Sequence, residues 1–305
     1  MDLRLLVRSL LFKTRMKNNY PKISIVTPSY NQGQFIEKTL QSVISQKYLQ
    51  LEYVVIDGGS TDDSLDIIKK YQKKISYFES KKDRGQSHAI NKGFAHTDGE
   101  IMAWINSDDM LRPGALRLVA SIFAAFPEIE WLTSLPSTMT ADGQQIYLAQ
   151  PPWYIRSLIK RGFYTRKLGG FIMQEGTFWR RSLWEKTGGK LEEVPYTMDM
   201  KLWQSFAKHT SLYIVEACLA SYRLNPQRKN NDGHAHYYKE MDDILPKLLT
   251  APFLAKLIKF AWRQIAKLAH HTGLKPRIYF DQNTLKWKFK KSLFEVETFQ
   301  LLSNT

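Results

Sequence analysis

The sequence predicts an α/β fold in which a mixed, mostly parallel sheet is flanked by helices. Short apolar, β-branched segments alternate with amphipathic segments between residues 20 and 126, a pattern typical of βαβ units. Hydrophobic residues make up 43% of the 305 residues and charged residues 24%, as in ordinary globular proteins. This length predicts one large domain or two modest ones.

Four apolar segments in the first half of the domain predict strands, and the amphipathic segments between them predict helices. The predicted strands are Lys22–Thr27, Leu51–Ile56, Ile75–Glu79 and Glu100–Ile105, and the predicted helices are Gly33–Gln46, Asp63–Lys74 and Gln86–Phe94. Because alternating strands and helices build a parallel sheet, the turns after these strands meet at one edge of it.

The second half of the domain is less regular. Its predicted helices are Arg112–Phe126, Tyr154–Lys160, Ser182–Thr187 and Met200–Lys208, and its predicted strands are Trp131–Leu135 and Leu212–Val215. Asp142-Gly143 predicts a hairpin turn. We therefore divide the chain into a basic N-terminal segment (1–20), an α/β domain (21–225, with halves 21–110 and 111–225) and a basic helical and strand extension (226–305).

The formal net charge of +15 predicts an acidic partner: a nucleotide, nucleic acid or an anionic membrane surface. The basic residues concentrate at the two ends of the chain and not along one motif, which argues against nucleic acid. Both ends also show apolar residues at helical spacing. In the tail these are Leu254, Leu257, Ile258, Ala261, Ile265 and Leu268, with Trp262 at the margin. Such a helix fits an anionic membrane surface and a helix packed on the domain equally well.

Three absences narrow the expected location of the protein. The sequence has no run of about 20 apolar residues, the length that crosses a bilayer. Its first twelve residues lack the cleavage site of a secretory signal, and its single cysteine, Cys218, excludes an intrachain disulfide. We expect a cytoplasmic protein that is peripheral on the inner face of the cell membrane if its basic ends bind lipid.

Polar side chains follow the second and fourth predicted strands. Asp57 begins a turn at residues 57–62, and Asn106-Ser107-Asp108-Asp109 follows the fourth strand. Carboxylates at this edge can hold a divalent cation, which in turn can hold a diphosphate. A strand ended by a capped turn is the alternative, because Asp and Asn favour turns. Neither G-x-G-x-x-G after the first strand nor G-x-x-x-x-G-K-[ST] occurs, so a nucleotide would be bound by side chains and a metal.

Two further places carry candidate chemistry. Asp199 lies near a predicted helix N-terminus, where a carboxylate is favoured on structural grounds alone. His234 and His236 form a metal-ligand pair by spacing, although a single H-x-H in a loop is a weak signal.

Four segments in a fixed order resemble the family 2 glycosyltransferases, inverting enzymes with the GT-A fold. They are Ile25-Val26-Thr27-Pro28-Ser29-Tyr30-Asn31, Val55-Ile56-Asp57-Gly58-Gly59-Ser60-Thr61-Asp62, the run from Asp83-Arg84-Gly85-Gln86 to Asn91-Lys92-Gly93, and Asn106-Ser107-Asp108-Asp109. The resemblance covers about residues 20 to 225. It implies a nucleotide-sugar donor, most usually a UDP-sugar, a divalent metal (Mn²⁺ or Mg²⁺) and an acceptor hydroxyl.

The resemblance also implies roles for individual residues. It places the donor on Pro28, Tyr30, Asn31, Asp57, Asp83, Arg84, Gln86, Asn106 and Asp108, with Asp57 as the base-contacting acid. It places the metal on Asp108 and Asp109, the catalytic base at Asp199, and the acceptor at Gln174 and Glu175. The chain departs from the family pattern twice: Asn106 stands where the first metal-site acid is expected, and the usual Glu-Asp pair reads Met198-Asp199.

The expected function is therefore a metal-dependent, inverting hexosyltransferase. A saccharide or lipid-linked acceptor in cell-envelope polysaccharide or glycolipid synthesis fits the basic, membrane-suited ends. The alternatives are a degenerate transferase that serves as a scaffold, a nucleotidyltransferase and, less favoured, a basic nucleic-acid-binding protein.

Overall fold

The computed structural model describes residues 21–150, 153–165, 170–225, 235–244, 252–271, 277–290 and 296–299. The predicted N-terminal helix and His234 lie outside these residues. The predicted α/β architecture is confirmed: helices flank a large, mixed, mostly parallel sheet.

The first half contains four strands that alternate with three helices, as predicted. They are β1 (Ile23–Ser29), α1 (Ile36–Ile44), β2 (Leu51–Asp57), α2 (Ser64–Tyr71), β3 (Tyr77–Ser80), α3 (Gln86–Ala95) and β4 (Ile101–Trp104). Every residue of β1 and β4 is buried, which explains their continuous apolar sequences.

The rest of the chain has shorter strands. In the second half they are β5 (Met110–Leu111), β6 (Trp131–Thr133), β7 (Ser137–Met139), β8 (Gln145–Leu148), β9 (Phe178–Arg180), β10 (Tyr213–Val215) and β11 (Ala220–Arg223). The helices there are α4 (Ala115–Ala125), α5 (Arg156–Lys160), α6 (Arg181–Lys186) and α7 (Met198–His209). The extension contributes α8 (Ala235–Ile244), α9 (Pro252–His271), β12 (Arg277–Asp281), β13 (Lys286–Lys290) and β14 (Val296–Phe299).

The central sheet has ten strands in the order β14-β13-β12-β10-β6-β9-β4-β1-β2-β3. Strand β1 pairs in parallel with β2 and β4, so the turns after these three strands share one edge. Strand β9, which the sequence pattern did not predict, pairs antiparallel with both β4 and β6 and joins the two halves. A smaller sheet has the order β5-β11-β7-β8 and contains the predicted hairpin.

The extension enters the same core. Strand β12 pairs in parallel with β10, and Ile278, Trp287 and Phe289 are buried. Trp262 of α9, predicted at the margin of the apolar helical face, is also buried and stacks on Trp153 with 6.4 Å between ring centroids.

Tryptophans fix the position of α7 on the sheet. Trp203 of α7 stacks on Trp104 at the end of β4 and on Trp131 of β6, with ring centroids 6.1 and 5.5 Å apart. Trp179 of β9 lies edge-on to Trp104, at 5.5 Å. These rings are almost fully buried and pack the core. They therefore fix α7, the helix that carries Asp199, against the strand that leads into residues 106–109.

Candidate active site

A cavity of ≈ 730 Å³ opens at the edge where β1, β2 and β4 end. Most of the predicted donor-site residues line it: Pro28, Tyr30, Asn31, Asp83, Gln86, Asn106 and Asp108. The sequence analysis missed several other lining residues, among them Lys82, Tyr196 and Tyr222. The volume suits a ligand of nucleotide size.

Asp57 shapes the wall of this cavity from behind. Its fully buried carboxylate accepts hydrogen bonds from the backbone N–H groups of Gly59 (3.1 Å) and Ser60 (2.9 Å), and from the hydroxyls of Ser60 (2.5 Å) and Ser80 (2.7 Å). Gly58, and not Asp57, lines the cavity. The structure therefore assigns the Asp57 carboxylate to the shape of the turn, and a contact with a nucleobase stays a prediction.

Asn31 connects the first two turns. It adopts a left-handed conformation, with φ of 50°, which Asn tolerates better than most residues. Its Oδ1 accepts a hydrogen bond from the Thr61 N–H at 2.9 Å, and its own N–H donates to Ser60 Oγ at 2.8 Å. The preceding Tyr30 is 60% exposed, with its ring at the cavity wall.

Asp83 lies over Gly58. A Cβ built on Gly58 would be 3.0 Å from Asp83 Oδ2, so the missing side chain makes room for this carboxylate. The other oxygen, Oδ1, accepts a hydrogen bond from the Gly85 N–H at 2.7 Å. The neighbouring Arg84 does not line the cavity and instead forms a two-pronged ion pair with Glu193, at 2.8 and 3.0 Å.

The N-terminus of α3 also faces the cavity. Gly85, Gln86 and Ala89 line it, and the Gln86 amide donates to Asn106 Oδ1 at 2.7 Å. The first N–H groups of a helix have no partner within the helix and favour an anion. Together with Lys82 they make this wall suited to a phosphate group.

The two adjacent acids of the 106–109 segment have different surroundings. Asp108 lines the cavity and accepts a hydrogen bond from Asn225 Nδ2 at 3.3 Å. Asp109 is fully buried, and its carboxylate accepts bonds from the Arg223 N–H (2.9 Å) and Asn106 Nδ2 (3.2 Å). Burial, with the charges of Asp108 and Glu175, raises the pKa of Asp109 well above its usual value.

Arg223, on β11, supports this segment from inside the protein. It is fully buried, and its guanidinium donates to the carbonyls of Asp108 and Ala141, each at 2.5 Å, while lying 5.2 Å from the ring centroid of Phe35. Burial lowers the pKa of Arg223, against the charges of Asp109 and Asp108. A single arginine in a short apolar segment gave no sequence signal of this role.

The described residues contain no group of three or more His, Cys, Asp or Glu side chains that could hold a metal. His236 is exposed at the start of α8 and does not line the cavity. The donor set at the cavity wall is the carboxylate of Asp108, beside the amide of Asn106. This set fits Mg²⁺ or Mn²⁺, because such ions are often held by one or two carboxylates together with substrate phosphates.

Asp199 lies in the first turn of α7, as predicted. Its Oδ1 accepts a hydrogen bond from the Met200 N–H at 2.8 Å, and the residue also lines a small pocket with Tyr164 and Phe171. Burial raises the pKa of Asp199 to about 6 despite this hydrogen bond, and the charge of Glu240 adds to the rise. A carboxylate with this pKa is a stronger base than an exposed aspartate and is still ionised at neutral pH.

Gln174 and Glu175 lie in the loop that precedes β9. The Gln174 amide donates to the Trp104 carbonyl at 2.6 Å. Within the described part of the chain, the buried Glu175 Oε2 has no hydrogen-bond partner. Burial, reinforced by the charges of Asp199 and Asp108, raises the pKa of Glu175 to about 7. Glu175 therefore interacts electrostatically with both Asp108 at the cavity and Asp199, and direct contact with an acceptor stays a prediction for Gln174 and Glu175.

Residues 24–186 match the sequence model of Glycosyl transferase family 2, which is more than half of the chain. The chain belongs to this family. The resemblance of its four motifs is thereby confirmed, and the chain is a glycosyltransferase.

Several bacterial glycosyltransferases are similar in sequence. An uncharacterized glycosyltransferase of Rickettsia typhi is 24% identical over 270 residues, which cover 88% of this chain and 82% of that protein. One from Nostoc sp. is 33% identical over 107 residues, or 33% of each chain. Bacillus subtilis TuaG, whose name assigns it to teichuronic acid biosynthesis, is 35% identical over 97 residues, which cover 31% of this chain and 38% of TuaG.

Solved structures show the same GT-A fold. S. aureus TarS (residues 1–349) in complex with UDP-GlcNAc has a TM-score of 0.56 at 14% identity, covering 92% of this chain and 99% of that one. The mannosyltransferase PcManGT of Pyrobaculum calidifontis, in complex with GDP-Man and Mn²⁺, has a TM-score of 0.55 at 17% identity, covering 85% and 83%.

Proposed function

We propose that this glycosyltransferase is inverting and metal-dependent, and that it transfers a hexose from a UDP-sugar to a hydroxyl of a saccharide or lipid-linked acceptor of the cell envelope. The observation that carries the proposal is Asp199, a carboxylate with a pKa of about 6 on the helix that packs against the end of β4. The name of TuaG supports a cell-envelope product.

The donor occupies the large cavity in this proposal. Pro28, Tyr30 and Asp83 surround the nucleoside, while Lys82 and the N-terminus of α3 receive the diphosphate. The complexes of TarS with UDP-GlcNAc and of PcManGT with GDP-Man support a nucleotide-sugar donor at a fold of this kind.

Asp108, with Asn106 beside it, would hold the metal ion at the cavity wall. Asp109 is occupied by hydrogen bonds inside the protein and positions this segment instead. A bound divalent metal supplies positive charge that stabilises the diphosphate as it leaves. The Mn²⁺ in the PcManGT complex supports this assignment.

Asp199 acts as general base. Its ionised carboxylate takes the proton of the acceptor hydroxyl while that oxygen forms a bond to the anomeric carbon from the side opposite the diphosphate. The bond from the anomeric carbon to the phosphate oxygen breaks, and the nucleoside diphosphate leaves with the electron pair. The product therefore has the opposite anomeric configuration.

A panel of UDP- and GDP-sugars, incubated with Mn²⁺ and bacterial lipid-linked acceptors, tests the proposal. Release of free nucleoside diphosphate and a product with inverted configuration by NMR are the expected results. In a parallel reaction with a nucleoside triphosphate and a sugar 1-phosphate, release of pyrophosphate would indicate nucleotidyl transfer. A product of retained configuration in the first assay would exclude the proposed role of Asp199. Donor binding without any turnover would favour the scaffold.

We also propose that α9 binds an anionic membrane surface. Phe253, Leu257 and Phe260 are 76%, 50% and 65% exposed, and their spacing places them opposite the buried Trp262. The sequence of residues 252–271 contains basic residues and no acid, which complements anionic lipid. No helix in the described part of the chain is long and apolar enough to cross a membrane.

Vesicle flotation tests this surface. The wild type is expected to float with vesicles that contain anionic lipid and to stay unbound with neutral ones. The double variant Phe253→Ser, Phe260→Ser should lose binding. Leu285→Ser, a change at a residue that is 74% exposed outside α9, is the matched control and should bind normally. Equal binding by wild type and the double variant would contradict the proposal.

A further inference from the structure

Glu240, on α8, forms hydrogen bonds to the segment that leads into the helix of Asp199. Its Oε1 accepts from the Thr197 N–H at 2.8 Å, the Thr197 hydroxyl at 2.5 Å and, more weakly, the Tyr196 N–H at 3.3 Å. The contacts join residues that are more than forty positions apart in the chain. Helix α8 also lies outside the residues that match the family.

These contacts replace a local helix cap. Thr197 precedes α7 and makes no capping hydrogen bond to its first turn. In a capping box, a Glu or Gln at the third helical position reaches back to the N–H of the capping residue, but that position is Met200. Glu240 supplies the missing acceptor from another helix. A carboxylate is also favoured at this end of a helix.

The contact lies between the two functional parts of the site. Tyr196 lines the donor cavity, and Asp199 is two residues beyond Thr197. Fixing Thr197 therefore fixes the start of the helix that carries the base. The acid that the family pattern expects at position 198 is Met198, and Glu240 brings a carboxylate to the same turn from α8.

Helix α8 is itself anchored on the domain. Met241 is fully buried, and the ring of Tyr237 lies 6.1 Å from Phe171 and 6.4 Å from Tyr196. These contacts keep Glu240 in place beside Thr197.

We propose that Glu240 is a positioning residue that fixes the turn before Asp199 and places a negative charge near the base. The expected effect of Glu240 on sugar transfer rests on the proposed function, but its role in fixing Thr197 does not. Two further titratable groups among the described residues interact with Asp199: Glu175, from the loop before β9, and Tyr237, from α8. The Glu240 charge disfavours ionisation of Asp199, in the same direction as burial does.

Hydrogen exchange tests the positioning role. The amide of Thr197 should exchange about tenfold faster in Glu240→Ala than in the wild type, because its charged acceptor is lost. Asp243→Asn, on the exposed side of the same helix, is the control and should leave this exchange unchanged. Equal exchange in both variants and the wild type would overturn the proposal.

A pH series tests the charge. The difference in Tm between wild type and Asp199→Asn, followed from pH 4.5 to 8.5, reports the ionisation of Asp199, with a midpoint near 6. Glu240→Gln keeps an acceptor oxygen for Thr197 but removes the charge, so this midpoint should move to lower pH. An unmoved midpoint would leave Glu240 as a cap only and contradict the proposal.

Transfer assays complete the test and separate it from the proposed function. At pH 7, Glu240→Ala is expected to lower kcat about tenfold or more while the donor KM stays within about twofold. If Asp199→Asn retained full transfer, the proposed base would be wrong, while the exchange and pH results would still decide the role of Glu240. A fall in Tm without a change in kcat would show that Glu240 is merely structural.

Discussion

In the first half of the domain (21–110), the buried carboxylate of Asp57 accepts four hydrogen bonds, whereas in the second half the buried Glu175 Oε2 has no hydrogen-bond partner among the described residues. Asp57 holds a turn in one shape. Burial raises the pKa values of Glu175 and Asp199 to about 7 and about 6. A carboxylate therefore stabilises a turn in the first half, whereas in the second half carboxyl groups have a raised affinity for protons.

The largest expected effect is on the base. Asp199→Asn should lower the rate of transfer by about 10² to 10⁴-fold, because an amide cannot take the proton of the acceptor. Donor affinity should stay nearly unchanged, as measured by titration with a UDP-sugar and Mn²⁺. In the wild type, activity should fall as the pH drops through about 6, where Asp199 becomes protonated. Loss of donor binding with transfer per bound donor unchanged would place Asp199 in donor binding.

The second prediction concerns the arginine that joins the two halves. Arg223→Met should lower the free energy of unfolding by about 3 kcal/mol, because the carbonyls of Asp108 and Ala141 lose their charged donor. Arg84→Met, which removes an exposed ion pair with Glu193, should change it by less than about 1 kcal/mol. Urea denaturation measures both. A similar decrease in the free energy of unfolding in the two variants would contradict a larger stabilising role for the buried Arg223 than for the exposed Arg84.

The third prediction compares how the carboxyl groups of Asp57 and Glu175 contribute to the stability of the fold. Asp57→Asn should destabilise the fold by about 2 kcal/mol, since an amide cannot accept all four hydrogen bonds. Glu175→Gln should instead stabilise it at pH 8 by about 1 to 3 kcal/mol. The pKa of Glu175 is raised from 4.5 to about 7. The wild-type carboxyl group therefore contributes favourably to the free energy of unfolding below pH 4.5, and this contribution is lost as the pH rises through 7.

Urea denaturation at pH 4.5 and pH 8 separates the two cases. The gain from Glu175→Gln should disappear at the lower pH, where the wild-type carboxyl is protonated as well. Destabilisation by both substitutions at pH 8 would remove the contrast between the halves.

The smallest expected effect is at the cavity wall. Lys82→Ala should raise the donor KM about threefold to tenfold with kcat unchanged, because one cation near the diphosphate is lost. Lys81→Ala is the matched control, since the side chain of Lys81 is exposed and does not line the cavity. Equal effects of both changes would indicate general electrostatic attraction instead of a defined contact.

The sequence predicted the first half well because β1 and β4, and most of β2, are buried apolar segments followed by polar turn residues. Periodicity carries no information about which carboxylate of an adjacent pair faces a cavity, so Asp108 and Asp109 were separated only by the fold. Strand β9 was missed because its three residues follow a glycine-containing loop without alternation. Arg223 and Glu240 act through partners more than forty positions away, and local patterns do not record such contacts.

The parallel pairing of β10 with β12 bears on how the chain assembles. Between these two strands lie about sixty residues, including α8 and α9. Until β12 is synthesised, one side of β10 has unpaired backbone groups in the middle of what becomes the sheet. A nascent chain that ends before residue 277 therefore exposes a strand edge open to pairing with other chains. Completion of the sheet therefore waits for the synthesis of β12, β13 and β14.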